Sequence, residues 1–173
     1  MKALKALSLA LVLVVGVVAN LTAASTPSQA SVPEVLEFQT MTPVTGPYVG
    51  AANPIRGING GGLPWIITSG RGELSSTGHL EVRVHGLVLA TKAPVPPALQ
   101  GTNPVTSFKA IVSCATIDSA GNATTVNVST GLFPASSTGN ASIEANVVLP
   151  HPCIAPVVFV TSPGGAWFAA TGN

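Results

Sequence analysis

Charge is scarce in this sequence. Asp, Glu, Lys and Arg make up 8% of its 173 residues, against roughly 25% in an ordinary soluble domain. Two of the seven basic residues, Lys2 and Lys5, stand at the extreme N-terminus, which leaves Arg56, Arg71, Arg83, Lys92 and Lys109 against six acidic residues in the rest of the chain. A protein that held nucleic acid or an anionic lipid surface would need a basic stripe to neutralise phosphates, and five scattered cations cannot make one. No nucleic-acid partner is expected. Helical periodicity is also missing, since no stretch of eleven or more residues repeats its apolar positions every 3.6 residues. Nor is there a GxSxG elbow, a CxxC pair, or a glycine loop that carries a lysine and runs into a helix, which disfavours the common serine-hydrolase, redox and nucleotide-binding arrangements. After residue 30 no apolar run approaches the roughly 20 residues that cross a bilayer, so no membrane span is expected in the mature chain.

The N-terminus has what the remainder lacks. Lys2 and Lys5 precede an apolar run from Ala6 to Ala19, which gives way to the small and polar stretch NLTAASTPSQA. This is the pattern of an export signal that is removed, with small-x-small cleavage points after Ala24 and after Ala30. Residues 1–30 are therefore expected to be a signal peptide and 31–173 the secreted mature protein. About 143 residues suit one domain with a sizeable core. Its two cysteines, Cys114 and Cys153, would meet an oxidising compartment and close into a disulfide. A metal-binding or redox reading of the pair lacks both the spacing and a third ligand nearby in sequence.

Apolar alternation with period two recurs through the mature region and predicts an all-β chain. The first strand is expected at Val35 to Met41, and the segment TPVTGPYVGAANPIRGINGGGLP that follows is too rich in proline and glycine for a regular element. A hairpin turning at Thr77-Gly78 puts Leu80, Val82 and Val84 on one face and His79, Glu81, Arg83 and His85 on the other. Ser107 to Ile117 and Ala123 to Thr130 flank the turn DSAGN, Ser142 to Leu149 follows, and the last pair closes over Ser162-Pro163-Gly164-Gly165. Eight or nine strands with no covering helix must bury one face against a second sheet, so a single antiparallel β-sandwich is expected. An immunoglobulin-like topology stays open but is not indicated, because neither Trp65 nor Trp167 lies between the cysteines.

Few residues remain for chemistry. The glycines of NGGGLPW are read as supplying backbone angles closed to other residues, with Pro64 and Trp65 anchoring the loop. Tyr48, Arg56 and Trp65 are the candidates for a shallow ligand site on that loop, with a carbohydrate as the ligand. Two histidines and a carboxylate on one strand could ligate a metal, but His79 and His85 are about 20 Å apart along an extended strand, too far to share one ion. A solvated outer face explains the alternation more simply, and neither a metal nor a cofactor is expected. The acids are dispersed, with only His79, His85 and His151 to act as a base, so the chain is read as no enzyme, a secreted hydrolase being the weakest alternative.

With the segments PIRGINGGGLPW, NVSTGLFPA and CIAPVVFVTSPGGAWFAATG and the hairpin at Thr77-Gly78 taken together, the mature chain resembles a group of small exported bacterial proteins without assigned function. The C-terminal run is the most specific part of the likeness, which extends over nearly the whole mature chain. It implies export and a compact β domain, and brings no catalytic residues with it. The expectation is a secreted, non-enzymatic module of the cell exterior or envelope.

Overall fold

A computed structural model describes residues 33–171; the expected signal peptide and both of its expected cleavage points lie outside them. The described residues form twelve strands: β1 (Glu34–Phe38), β2 (Met41–Pro43), β3 (Trp65–Ile66), β4 (Ser69–Ser75), β5 (His79–His85), β6 (Val88–Leu89), β7 (Ser107–Ile117), β8 (Ala123–Ser129), β9 (Phe133–Pro134), β10 (Ala141–Asn146), β11 (Ile154–Thr161) and β12 (Trp167–Thr171). Two 3-10 turns, Gly46–Tyr48 and Pro97–Leu99, are the sole helical pieces among the described residues.

The all-β expectation holds. One antiparallel sheet has the order β1-β4-β5-β10 and a second has the order β2-β12-β11-β7-β8, with β9 against the start of β7. Each contributes one apolar face to a common core, the arrangement of a β-sandwich. Phe38, Leu74, Leu80, Val82, Val84 and Ile143 come from the first sheet, and Phe108, Ala110, Val112, Val158 and Val160 from the second. Both expected hairpins form, β4–β5 around Thr77-Gly78 and β7–β8 around DSAGN. At the first turn Gly78 has φ +87°, the left-handed region that glycine enters without strain.

Two expectations need correction. The stretch Val35 to Met41 is two strands, because the chain leaves the first sheet after Phe38 and joins the second at Met41. Both residues turn inward and are buried, which an unbroken alternation would allow only if they lay an even number apart. The strand count also rises: eight strands have five residues or more, and β2, β3, β6 and β9 have two or three, too few for an alternation to register.

In the second sheet β7, β11 and β12 are covered on both sides, which explains their long apolar runs. Along β11 and β12, Val158 to Thr161 and Trp167 to Ala170 are all buried. The register places Val160 opposite Ala169 and Thr161 opposite Trp167, so Phe168 is the extra residue of a bulge. Trp167 packs towards Phe159 and Tyr48, while Phe168 turns to Trp65 and Phe108. The irregular segment between β2 and β3 covers the outer side. Its ladder onto β12 runs through Gly61 N–H to the Trp167 carbonyl and Trp167 N–H to the Asn59 carbonyl. The disulfide joins neighbouring strands of this one sheet, from Cys114 in β7 to Cys153 just ahead of β11, with 5.0 Å between the Cα atoms.

Candidate functional site

The loop residues expected to share a ligand site do not meet in one. The Trp65 ring is 2% exposed and stacked on Phe168 at a centroid distance of 3.8 Å, with Phe108 edge-on at 6.4 Å. Tyr48 is 46% exposed, but packs on Trp167, which the bulge directs away from the aromatic group around Trp65. Arg56 is committed elsewhere: Nη1 donates to the Ser113 carbonyl at 2.9 Å and Nη2 to the Ala155 carbonyl at 2.8 Å. Its own carbonyl accepts from Asn127 Nδ2 at 3.0 Å. Arg56 is thus a strap that fastens the covering segment to β7, β8 and the start of β11. Its guanidinium spends hydrogen bonds on backbone rather than on a ligand. Trp65 borders an apolar groove of about 340 Å³ lined with Leu63, Leu89, Leu99, Pro104 and Val105. Apart from the indole itself, that lining offers no polar side chain to a sugar hydroxyl.

Charge gathers instead on the outer face of the sheet β1-β4-β5-β10. On β5 the burial alternates, with Leu80, Val82 and Val84 inward and His79, Glu81, Arg83 and His85 outward, as the sequence pattern requires. The register adds what that pattern alone does not contain. Glu37 on β1 lies opposite Glu73 on β4, Glu73 opposite Glu81 on β5, and Glu81 opposite Glu144 on β10. Four of the six acidic residues in the chain therefore form one row across four strands. The next row holds Arg71 opposite Arg83, with Ser142 beyond. On the other side of the glutamates, His79 lies opposite Asn146.

Within these rows the contacts are specific. Glu81 Oε1 is 3.5 Å from His79 Nε2, and Oε2 is 3.6 Å from an Arg83 guanidinium nitrogen. Ligand atoms of His79, Glu81 and Glu144 all lie within 4.8 Å of one another. Gln39 Nε2 donates to Glu37 Oε1 at 3.0 Å. A shallow depression of about 170 Å³ opens between Glu37, Gln39, Arg71, Glu73, Glu81 and Arg83. Like charges directly opposite in a sheet destabilise it, so a carboxylate row carries a cost that neutral polar residues would avoid.

The spacing of His79 and His85 along β5 does not reveal this group. The third member of the His79 group is Glu144, 63 positions beyond Glu81, and it arrives sideways from β10. Strand neighbours across a sheet are roughly 5 Å apart, closer than any two same-face residues along one strand. The usable signal was the outward parity of Glu73, Glu81 and Glu144 within their own strands; the missing knowledge was which strands pair. Compared with protein-family models, with curated proteins and with solved structures, the chain matches none.

Proposed function

We propose that the chain is exported and works outside the cytoplasm as a non-enzymatic binding module, with the charged outer face of the sheet β1-β4-β5-β10 as its contact surface. One observation carries this reading. In a chain with so few charges, Glu37, Arg71, Glu73, His79, Glu81, Arg83, His85 and Glu144 share one open sheet face. Solvation alone does not require them. The outer edge of the second sheet meets water with Thr125, Asn127 and Ser129 and no charge, so neutral polar residues suffice in this fold. The charges are placed where they are at a cost in like-charge contacts, which is the pattern expected of a working surface.

The Cys114–Cys153 bond supports an oxidising destination. A carbohydrate platform on the Tyr48-to-Trp65 loop loses support, since Trp65 and Trp167 are 2% and 3% exposed and a stacking platform needs an open ring face. Hydrolase chemistry has little to draw on. Among the described residues the hydrogen bonds set His79 against Glu81 and bring no serine hydroxyl to a histidine ring. The test has two parts. Mass measurement on protein recovered from the culture medium should find a chain that begins at Ser25 or Ser31 with its disulfide closed. Intact cells of the producing organism should retain the wild-type protein and release a variant with Arg71→Gln, Glu73→Gln and Arg83→Gln combined. Equal retention of the two would remove the face from the reading.

A further inference from the structure

We propose that His79, Glu81 and Glu144 bind a divalent transition-metal ion of the zinc class on this face. The inference deepens the reading of the face as the working surface. Two ligands each about 2 Å from one tetrahedral ion are about 3.4 Å apart. His79 Nε2 and Glu81 Oε1, at 3.5 Å, already stand at that separation. The third ligand atom, from Glu144, is within 4.8 Å of both, and Glu144 is exposed, so a rotation of its side chain brings it in. The donor set has a nitrogen in it, which favours zinc over calcium or magnesium, since those ions take oxygen ligands. Arg83 engages Glu81 Oε2 and so leaves Oε1 turned to His79.

Charge balance points the same way. The glutamate row holds Glu37, Glu73, Glu81 and Glu144, and the neighbouring row holds Arg71 and Arg83. Two carboxylates remain uncompensated, the charge that one divalent ion neutralises. Three protein ligands on an open sheet face leave a fourth position to water or to a donor atom from a partner.

The probe is zinc chloride titrated into the purified, disulfide-closed mature chain, followed by calorimetry and by thermal unfolding. One equivalent is expected to bind and to raise the melting temperature, as any ligand selective for the folded state does. Glu144→Gln and His79→Gln should each weaken binding by about tenfold or more, the loss that even an outer-shell partner causes. Without metal, Glu144→Gln should melt no lower than the wild type, because it removes a like-charge neighbour; that comparison separates lost ligation from lost folding. His151→Gln should bind as the wild type does. Absence of heat and of any thermal shift at millimolar zinc overturns the proposal, as does binding that survives both ligand substitutions or disappears with His151→Gln. Zinc binding by the pure chain and retention on cells are separate measurements, so either can fail without the other.

Discussion

A methyl group at position 60 would drive into the Tyr48 carbonyl oxygen and come to 2.8 Å of Val44 Cγ2. At position 61 it would come to 3.0 Å of the Phe168 ring and 3.1 Å of the Trp65 indole nitrogen, and at position 62 it would meet open space. Three consecutive glycines thus have two different grounds. Gly60 and Gly61 are buried where the covering segment presses onto β12, and none of the three has a positive φ. The expectation from sequence, backbone angles closed to other residues, is replaced here by close approach. Gly60→Ala should lower the stability measured in urea by about 2–3 kcal/mol, since a backbone oxygen cannot move aside as a flexible side chain does. Gly62→Ala should stay within about 0.5 kcal/mol of wild type. Equal effects at the two positions would contradict the packing described.

At the level of elements, the β7–β8 hairpin is organised by one carboxylate. Asp118 Oδ1 accepts from the amides of Ala120 and Asn122, both at 2.9 Å, and Oδ2 from the Asn122 side chain at 3.2 Å. These bonds, the Asn122 amide first, favour the ionised form and hold the Asp118 carboxyl below its ordinary value of 3.8. An acid held below its unfolded value supports the turn fully above pH 3.8, and that support is lost as pH falls through the lower folded value. In an NMR titration the Asp118 carboxyl carbon should therefore show a midpoint below 3.8, with the Ala120 and Asn122 amides following the same curve. A midpoint at or above the ordinary value would contradict these hydrogen bonds. This turn, like the one at Thr77-Gly78, was legible from local residues, because Asp, Gly and Asn carry their turn chemistry in their own side chains or backbone. The break between β1 and β2 was not. Nothing in EFQTM marks Gln39-Thr40 as the place where a chain changes sheets, since that choice depends on which neighbours await on either side. The glutamate row was hidden for the same reason: Glu37, Glu73, Glu81 and Glu144 have outward parity in their own strands, but register is a property of pairs.

For the whole molecule, the Cys114–Cys153 bond encloses the excursion that completes both the core and the charged face. After β7 the chain forms β8 at the edge of the second sheet and crosses to the first as β10. It then returns as β11 beside β7. The span of 39 residues between the cysteines includes Ile143, which points into the core, and Glu144, which points out of it. Closing a loop of that length in the unfolded chain is worth about 4 kcal/mol in the chain-entropy description. A domain of this size is stable by roughly 5–15 kcal/mol in all, so the cross-link is a large share. Reduction is a cleaner perturbation than substitution, because Cys114 is fully buried and its replacement would add a packing defect to the loss of the link. Urea unfolding of the reduced and oxidised chains should differ by about 4 kcal/mol. Hydrogen exchange in the reduced chain should rise in β10, at the sheet edge inside the former loop, before it rises in the β4–β5 hairpin, which lies outside it. A reduced protein as stable as the oxidised one, or exchange that rises first in β4–β5, would mean that the sandwich holds this excursion in place without its sulfur bridge.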